Sequence, residues 1–312
     1  MTRIIAPGRL HFGLFHVPVA GEHRPGVRAF GGVGLMIDSP GVVVTAEPAE
    51  SWRFEGMLAS RAQEFAMRFM QAIPEERRRP FQVLIERCPT EHTGLGVGTQ
   101  LGLAVAKALS VALGEPHIES HTLATRVGRG ERSAIGVHGF DHGGLIVDAG
   151  KEPGEAISPM LAHIRLPAEW RVVIFSSNVA TNWYGHCERA AFASAFNGDP
   201  DELRRLAETA ILPAARAGDL RVFGDAVHEF NRRAGEPFAV AQGGPYASSA
   251  IADLIAELRH SGIHGVGQSS WGPTVFAIVP DSDTALSLVL RFGQRMQVGI
   301  ARISNGHTVN GE

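Results

Sequence analysis

The sequence predicts an α+β protein of two domains. Three observations carry this expectation: a chain of 312 residues, too long for one ordinary core; a first stretch of short strand candidates separated by glycine and proline; and a second half in which helices dominate before a closing strand–helix–strand run. The change of pattern near Pro167 divides the chain into residues 1–167 and 168–312.

Taken in order, strands are expected at Arg3–Ile5, Leu10–Val17 and Gly41–Glu47, broken by Gly and Pro. Ser60–Ala72 carries Ala62, Phe65, Ala66, Phe69 and Met70 at helical spacing, with Arg61, Glu64, Arg68 and Gln71 on the other side. Phe81–Glu86 is strand-like. Leu101–Leu113 is a helix apolar nearly all round and must be buried. Gly144–Val147 is a further strand. After the strand Arg171–Phe175, helices are expected at His186–Phe196, Asp201–Ala217, Leu220–Arg233 and Ser248–Ser261, punctuated by Gly198-Asp199-Pro200 and Gly218-Asp219. Strand Thr274–Val279, helix Asp281–Phe292 and strand Gln297–Ile303 close the chain.

The bulk composition narrows the function classes. Hydrophobic residues are 44% and charged residues 20%, the balance of a globular protein. With 29 basic and 32 acidic residues the formal charge is −3, so the summed field does not draw nucleic acid or anionic lipid. Cys88 and Cys187 form no CxxC pair, which removes a disulfide framework and a cysteine zinc site and fits a reducing compartment. Arg3, Pro7, Gly8, Arg9 and His11 interrupt the first residues, so no secretory apolar region is expected there; no run of about 18 apolar residues occurs. A cytoplasmic protein with no membrane partner is the expectation.

The most informative stretch is Glu91-His92-Thr93-Gly94-Leu95-Gly96-Val97-Gly98-Thr99-Gln100, set against the start of the buried helix. Glycine reaches positive φ and lets a ligand approach the amides, while the first helical N–H groups lack internal partners. Together these make an anion site, to which the helix dipole adds ~0.3–1 kcal/mol. The loop lacks the Gly-Lys-Ser/Thr end of a Walker loop, and its spacing is not GxGxxG. A turn rich in glycine for packing alone is the competing explanation.

Gly94-Leu95-Gly96-Val97-Gly98-Thr99 resembles the PxxxGLGSSxA phosphate loop of the GHMP kinase superfamily. Pro7-Gly8-Arg9-Leu10 resembles its first motif, and Gly265 through Thr274 falls where its third glycine-rich motif lies. Within the superfamily the chain is similar to the β-ribofuranosylaminobenzene 5'-phosphate synthase family of tetrahydromethanopterin biosynthesis. Four segments carry that resemblance: Arg9–Phe12 with Gly31–Gly34, His92–Gly96, Gly128–Gly136, and Gly267–Pro273. It implies a GHMP-type fold, with a first domain like ribosomal protein S5 domain 2 and a ferredoxin-like second domain. It also implies a homodimer, and transfer from 5-phosphoribosyl 1-pyrophosphate to 4-aminobenzoate or 4-hydroxybenzoate with loss of carbon dioxide and pyrophosphate.

GHMP kinases that use a catalytic base carry Ser-Gly-Ile-Asp in the middle motif, whereas here Ser133-Ala134-Ile135-Gly136 ends in glycine. A kinase acting on an alcohol is thereby disfavoured but stays open, with Asp141 as a substitute base. Decarboxylating transfer needs no such base, because losing carbon dioxide from the attacked carbon restores aromaticity. On this reading Thr93 through Gln100 bind pyrophosphate, and Mg²⁺ between its oxygens takes Glu131 and Asp141, since magnesium combines phosphates with one or two carboxylates. Arg9, Arg129 and Arg132 offer planar forks for the 5'-phosphate or a benzoate carboxylate. His11, His92, His138 and His142 are candidates for steering the aromatic substituent. His138 and His142 are four apart, but Gly139, Gly143 and Gly144 argue against a helical metal pair.

In the third motif Gln268, Ser269, Ser270, Gly272 and Thr274, with Ser133 in the middle one, are candidate contacts to phosphate or ribose. Trp271 is a candidate wall for a benzoate ring. Each has an ordinary structural reading: a turn serine, or an interface tryptophan. The run Glu75–Arg79 and the pair Arg204-Arg205 read as solvated helix ends. A noncatalytic protein that binds a phosphorylated metabolite is the third class left by the sequence.

Overall fold

The computed structural model describes residues 1–17, 26–176 and 201–310. The two expected strands before residue 18 are one, β1 (Thr2–Leu14), antiparallel to β2 (Gly32–Pro48). Pro7 does not break it, because the register shifts between Ala6 and Gly8 and the proline falls in that irregularity, where its missing N–H costs no ladder bond. β3 (Arg53–Gly56), β4 (Phe81–Arg87), β5 (Leu145–Asp148) and β6 (Met160–Ile164) complete most of the first sheet. Its long strand β2 pairs with β5 through Gly32–Leu35 and with β4 through Val43–Pro48.

Helices cover one side of this sheet. In α1 (Ala59–Gln71), Ala62, Phe65, Ala66, Phe69 and Met70 are buried, as their spacing requires. α2 (Val97–Ala112) is buried along nearly its whole length and runs beneath β1 and β2, which is why its sequence has no polar stripe. α3 (Ser120–Val127) follows, then α4 (Ile135–His142). The glycines that argued against a helix at α4 do not prevent it. A Cβ at Gly139 would overlap the Met36 side chain, so the helix packs on β2 at a distance only glycine permits, and burial outweighs a propensity cost of ~1 kcal/mol. Gly143 then caps its end.

The chain leaves the first sheet after Ile164 and enters the second at β7 (Arg171–Ser176). The helix expected at His186–Phe196 lies outside the described residues. α5 (Glu202–Leu206) passes through one π turn, Ala207–Ile211, into α6 (Leu212–Ala217). α7 (Leu220–Gly235), α8 (Ser249–His260) and α9 (Ser282–Phe292) are N-capped by Asp219, Ser248 and Asp281, whose side chains accept from Val222, Ile251 and Thr284 amides. With β8 (Gly265–Gln268), β9 (Val275–Val279) and β10 (Gln297–Arg302), β7 forms an antiparallel sheet ordered β10-β7-β9-β8. This is the 4-1-3-2 order of a ferredoxin-like sheet. The chain then returns to the first sheet, where β11 (Thr308–Asn310) pairs with β1. No helix among the described residues is long and apolar enough to cross a membrane.

The two sheets share a core. Phe12 of β1 and Phe276 of β9 have ring centroids 5.0 Å apart, and Phe15 meets Phe230 of α7 edge-on at 5.9 Å. Between them Asn231 is buried and its amide is fully used. Nδ2 donates to Phe12 O at 2.6 Å and Gln268 O at 2.8 Å, while Oδ1 accepts from Gln268 N at 2.8 Å. Asn231→Ala would strand three buried main-chain groups. The expected loss is about 3 kcal/mol, seen as a lower urea midpoint with the m-value retained.

Candidate active site

Three segments distant in sequence meet where the sheets join. The Ser269 hydroxyl accepts from His11 N at 3.0 Å and donates to Gly94 O at 2.7 Å. Beside it Ser270 N donates to His11 O at 2.9 Å, and Arg9 N donates to Leu95 O at 3.0 Å. The early strand, the glycine loop and the third motif are thus one hydrogen-bonded unit. A Cβ at Gly94, where φ is +85°, would overlap the Ser269 carbonyl oxygen, so only glycine allows the two loops to touch.

Gly96, at φ +70°, is the N-cap of α2. Its carbonyl accepts from both Thr99 N and Gln100 N, at 3.1 Å each. The amides of Val97 and Gly98 open the helix with no carbonyl partner among the described residues. The part of the loop that faces the pocket is narrower than the expected Thr93–Gln100. Thr93 turns back, its hydroxyl on Thr90 O at 2.8 Å, and Gln100 is fully buried with Nε2 on Gly136 O at 2.8 Å, so neither faces the pocket. Gly94 through Thr99 do line it.

Around these amides stand four guanidiniums, from Arg9, Arg61, Arg129 and Arg132, in a pocket of about 480 Å³ that also holds Glu91, His92 and Glu131. Arg61 Nη2 and Arg129 Nη2 lie 3.2 and 3.5 Å from the point a Cβ would occupy on Gly98. Arg129 reaches Thr99 Oγ1 at 3.3 Å, and its Nε is buried without a partner. Burial, and after it the charge of Arg61, pushes the Arg129 guanidinium below its ordinary value. Glu91, ion-paired with Arg61 at 2.8 Å, offsets part of this like-charge crowding.

Through Arg9, Thr99, Arg129, Arg132, Ser133 and Ser270 this pocket opens into a second cavity of about 240 Å³. Phe12, Leu14, Phe238, Pro245, Tyr246 and Trp271 make its apolar walls. Phe238 and Trp271 meet edge to face, centroids 4.6 Å apart at 63°. His11 lines the same cavity. Burial, and secondarily Arg9, lowers its pKa well below the usual histidine value, so the imidazole is neutral. No Asp or Glu is among the described residues of this lining.

Ser133 lines both cavities. Its hydroxyl donates to Asp148 Oδ2 at 2.8 Å and accepts from Ile135 N at 3.3 Å. Asp148 is buried and accepts three further bonds, from Ala134 N, Gly150 N and the Ser158 hydroxyl. Burial pushes its carboxyl up to about 6, against the pull of those four donors. The sequence reading missed Asp148 and Arg61: the first looks like the end of a strand, the second like the outer face of an amphipathic helix.

Several candidates are not brought together. Asp141 and His142 sit at the far end of α4, two turns from the pocket that its start approaches. Asp141 Oδ2 accepts from Ser120 N at 2.8 Å, its Oδ1 is 3.5 Å from His307 Nδ1, and the His142 ring packs 5.5 Å from that of His163. Neither reaches the phosphate loop. His138 bonds Ser158 O at 2.8 Å, and no cluster of three His, Cys, Asp or Glu suited to a metal occurs among the described residues. Ser269 and Thr274 are buried tethers, Ser269 N donating to Thr274 O at 2.9 Å. Gln268, by contrast, does line the aromatic cavity, where Nε2 donates to Ser270 O and Oε1 accepts from Ala247 N, both at 2.8 Å. Ser270, Trp271 and Gly272 line the arginine-walled pocket.

A Cβ on Gly96 would stand 2.8 Å from Arg9 Nε, which can swing away, and 3.1 Å from Arg9 Cβ, which must give by a few tenths of an ångström. Gly96→Ala is expected to keep the fold, at a cost of ~1–2 kcal/mol for the left-handed backbone, and to weaken inorganic pyrophosphate binding about tenfold. Titration calorimetry beside a thermal melt separates the two effects.

The GHMP kinases C-terminal family matches residues 211–297. Over most of its length the chain is similar to two archaeal proteins named beta-ribofuranosylphenol 5'-phosphate synthase. It is 29% identical to that of Methanothermobacter thermautotrophicus, covering 89% of this chain and 88% of the relative. It is also 29% identical to that of Archaeoglobus fulgidus, covering 93% and 92%. Among solved structures, homoserine kinase from Cytophaga hutchinsonii superposes with a TM-score of 0.68 at 14% identity, covering 99% of this chain and 97% of that one. Mevalonate pyrophosphate decarboxylase from Streptococcus pyogenes superposes at 0.67 and 11% identity, covering 98% and 97%. With its two sheets, a glycine loop at a helix start and these superpositions, the chain has the GHMP kinase fold, and its second half carries the match to the GHMP kinases C-terminal family.

Proposed function

We propose that the chain is a decarboxylating phosphoribosyltransferase, joining 5-phosphoribosyl 1-pyrophosphate to 4-hydroxybenzoate with release of carbon dioxide and pyrophosphate. One observation carries this reading: an arginine-walled anion pocket opens directly into an aromatic cavity whose described lining holds no carboxylate. The archaeal relatives are named for a ribofuranosylphenol product, and a phenol product fits a para-hydroxyl acceptor better than an amine. The resemblance behind the reading also carries a homodimer, and the cysteine usage of the sequence a cytoplasmic location.

In this reaction the bond from ribose C1 to the diphosphate oxygen breaks, and pyrophosphate leaves with the electron pair. The ring carbon bearing the carboxylate attacks C1. The bond to the carboxylate then breaks, carbon dioxide departs, and its electron pair restores the ring, so no proton is taken from carbon. The chain's task is to stabilise the leaving group and align the ring. The amides of Val97 and Gly98 with Arg129 and Arg9 suit the diphosphate, while Phe238 and Trp271 suit the ring. Ser133, its proton given to Asp148, offers the cavity an acceptor suited to a ribose hydroxyl. Neutral His11 suits the para hydroxyl.

Mg²⁺ fits this pocket as an ion carried in by phosphate oxygens, with Glu131 as its protein carboxylate. Asp141, bonded to Ser120 away from the pocket, is left out of this proposed ligand set. Bound there, magnesium would neutralise charge on the departing pyrophosphate.

A kinase acting on an alcohol is the second reading, and the structural neighbours share its fold. It needs a base where Gly136 stands, and a Cβ there would lie 3.3 Å from Gln100 Nε2 and 3.5 Å from Thr99 Cγ2. A carboxylate in that position would require its neighbours to move.

With 5-phosphoribosyl 1-pyrophosphate, Mg²⁺ and carboxyl-labelled 4-hydroxybenzoate, labelled carbon dioxide is expected in step with pyrophosphate; ATP turnover on an alcohol without carbon dioxide would support the kinase instead. Because the pKa of His11 is lowered, it stays neutral as pH falls through 6.5. The rate is therefore expected to show no acid limb from His11 near the usual histidine value, and a limb at 6.5 that disappears in His11→Gln would contradict its neutrality.

A further inference from the structure

Arg61 is the one guanidinium of the phosphate pocket supplied by α1, and it is ion-paired there with Glu91, Nη1 to Oε1 at 2.8 Å. Glu91 belongs to the turn that leads into the glycines, and it lines the same pocket as Val97 and Gly98 at the α2 N-terminus. It also faces Arg129, whose charge it favours. A carboxylate among two guanidiniums and a helix N-terminus occupies the surroundings a phosphate would seek.

We infer that the Arg61–Glu91 pair is an exchangeable ion pair: Glu91 is the counter-ion of Arg61 in the unliganded pocket, and the diphosphate of the substrate takes its place. The inference rests on the phosphate role proposed for this pocket and adds a binding residue and an internal competitor to it. Geometry supports the exchange. Arg61 Nη2 is 3.2 Å and Arg129 Nη2 3.5 Å from the Cβ position of Gly98, so both forks converge over the helix start. Arg129 Nε is buried with no partner, and Arg61 raises the cost of that charge. Two carboxylates, Glu91 and Glu131, face four guanidiniums and leave positive charge in excess; a diphosphate, with several charges and more acceptor oxygens than the Glu91 carboxylate it replaces, neutralises it further. The Phe65 ring, 5.7 Å from the Arg61 guanidinium carbon, supports the arginine while its partner changes. At 19% side-chain exposure Glu91 lies near solvent and can swing outward, whereas a buried partner would be trapped.

The test is calorimetric binding of inorganic pyrophosphate to the full chain in EDTA, with 4-hydroxybenzoate titrated separately. Arg61→Ala is expected to weaken pyrophosphate about tenfold or more, the loss of a charge-assisted contact, and Arg61→Lys to weaken it less; 4-hydroxybenzoate affinity should not change. Glu91→Gln is expected to tighten pyrophosphate several-fold, because the competitor has lost its charge while its shape is kept. Wild-type affinity in Arg61→Ala, or equal or weaker binding in Glu91→Gln, would overturn the exchange. Circular dichroism of each variant identifies one that has lost its fold, and Arg61→Lys and Glu91→Gln keep the question open to decision if Arg61→Ala does. Should wild type release no labelled carbon dioxide while the variants behave as described, the reaction assigned above is wrong and the exchange stands. The reverse pattern removes the exchange alone.

Discussion

The structure depends on one buried hydroxyl. Ser269 accepts from the His11 amide and donates to the Gly94 carbonyl, joining residues 258 and 175 positions away in sequence. Every other feature of the site is downstream of that junction. It sets the glycine loop against β1, which puts Arg9 beside Gly96. It sets the third motif against both, so that Ser270 and Trp271 form the seam between the anion pocket and the aromatic cavity. Asn231 performs the same service one layer deeper, fastening β1 to β8 through α7. Buried polar groups with all their partners in place tolerate little displacement, which suits a site built from three separate segments.

The charge distribution follows from the same closure. A chain with a net charge of −3 concentrates four guanidiniums around one helix N-terminus. Such a cluster is unfavourable when vacant, and burial makes it more so, as the lowered pKa of Arg129 records. Its reward comes when charge arrives or develops on a leaving group, the form of catalysis in which preorganised donors matter most. The neighbouring cavity is built on the opposite principle, with apolar walls, a neutral imidazole and no described carboxylate. Stabilising a departing diphosphate on one side and letting a carboxylate leave as neutral carbon dioxide on the other asks for that contrast.

The legible parts of the site were those governed by local backbone chemistry. Positive φ at Gly94 and Gly96 and the orphan amides at the start of α2 are consequences of residue type within a few positions, and Gly136 in place of an acid could be seen directly in the sequence. Side chains whose role depends on where an element points were harder. Arg61 lies on the polar face of α1, and periodicity tells which face is polar but not what that face meets. Asp141 was expected as a substitute base near Gly136 and His142 as part of a glycine-rich segment, yet α4 carries both to its far end. Its helical state was itself missed, since the weak propensity of Gly139 is overridden by a close approach to Met36 that no local pattern encodes. Proline at position 7 misled in the same way, because a bulge paired to β2 absorbs it.

Read without its fold, the chain already showed the local features from which its chemistry is proposed: a glycine turn before a buried helix, and a middle motif with Gly136 where the kinases it resembles carry an acid. Motifs of this kind are written in φ preferences and side-chain functional groups, which are properties of single residues and their neighbours. Folding alone decided the company those motifs keep. Arg61 joins the phosphate wall, Asp148 holds Ser133 from beneath, and an aromatic cavity opens beside the loop only after two sheets have closed on each other. Contacts between residues a hundred or more positions apart depend on the direction of whole helices and strands, and that direction is a property of the packed core.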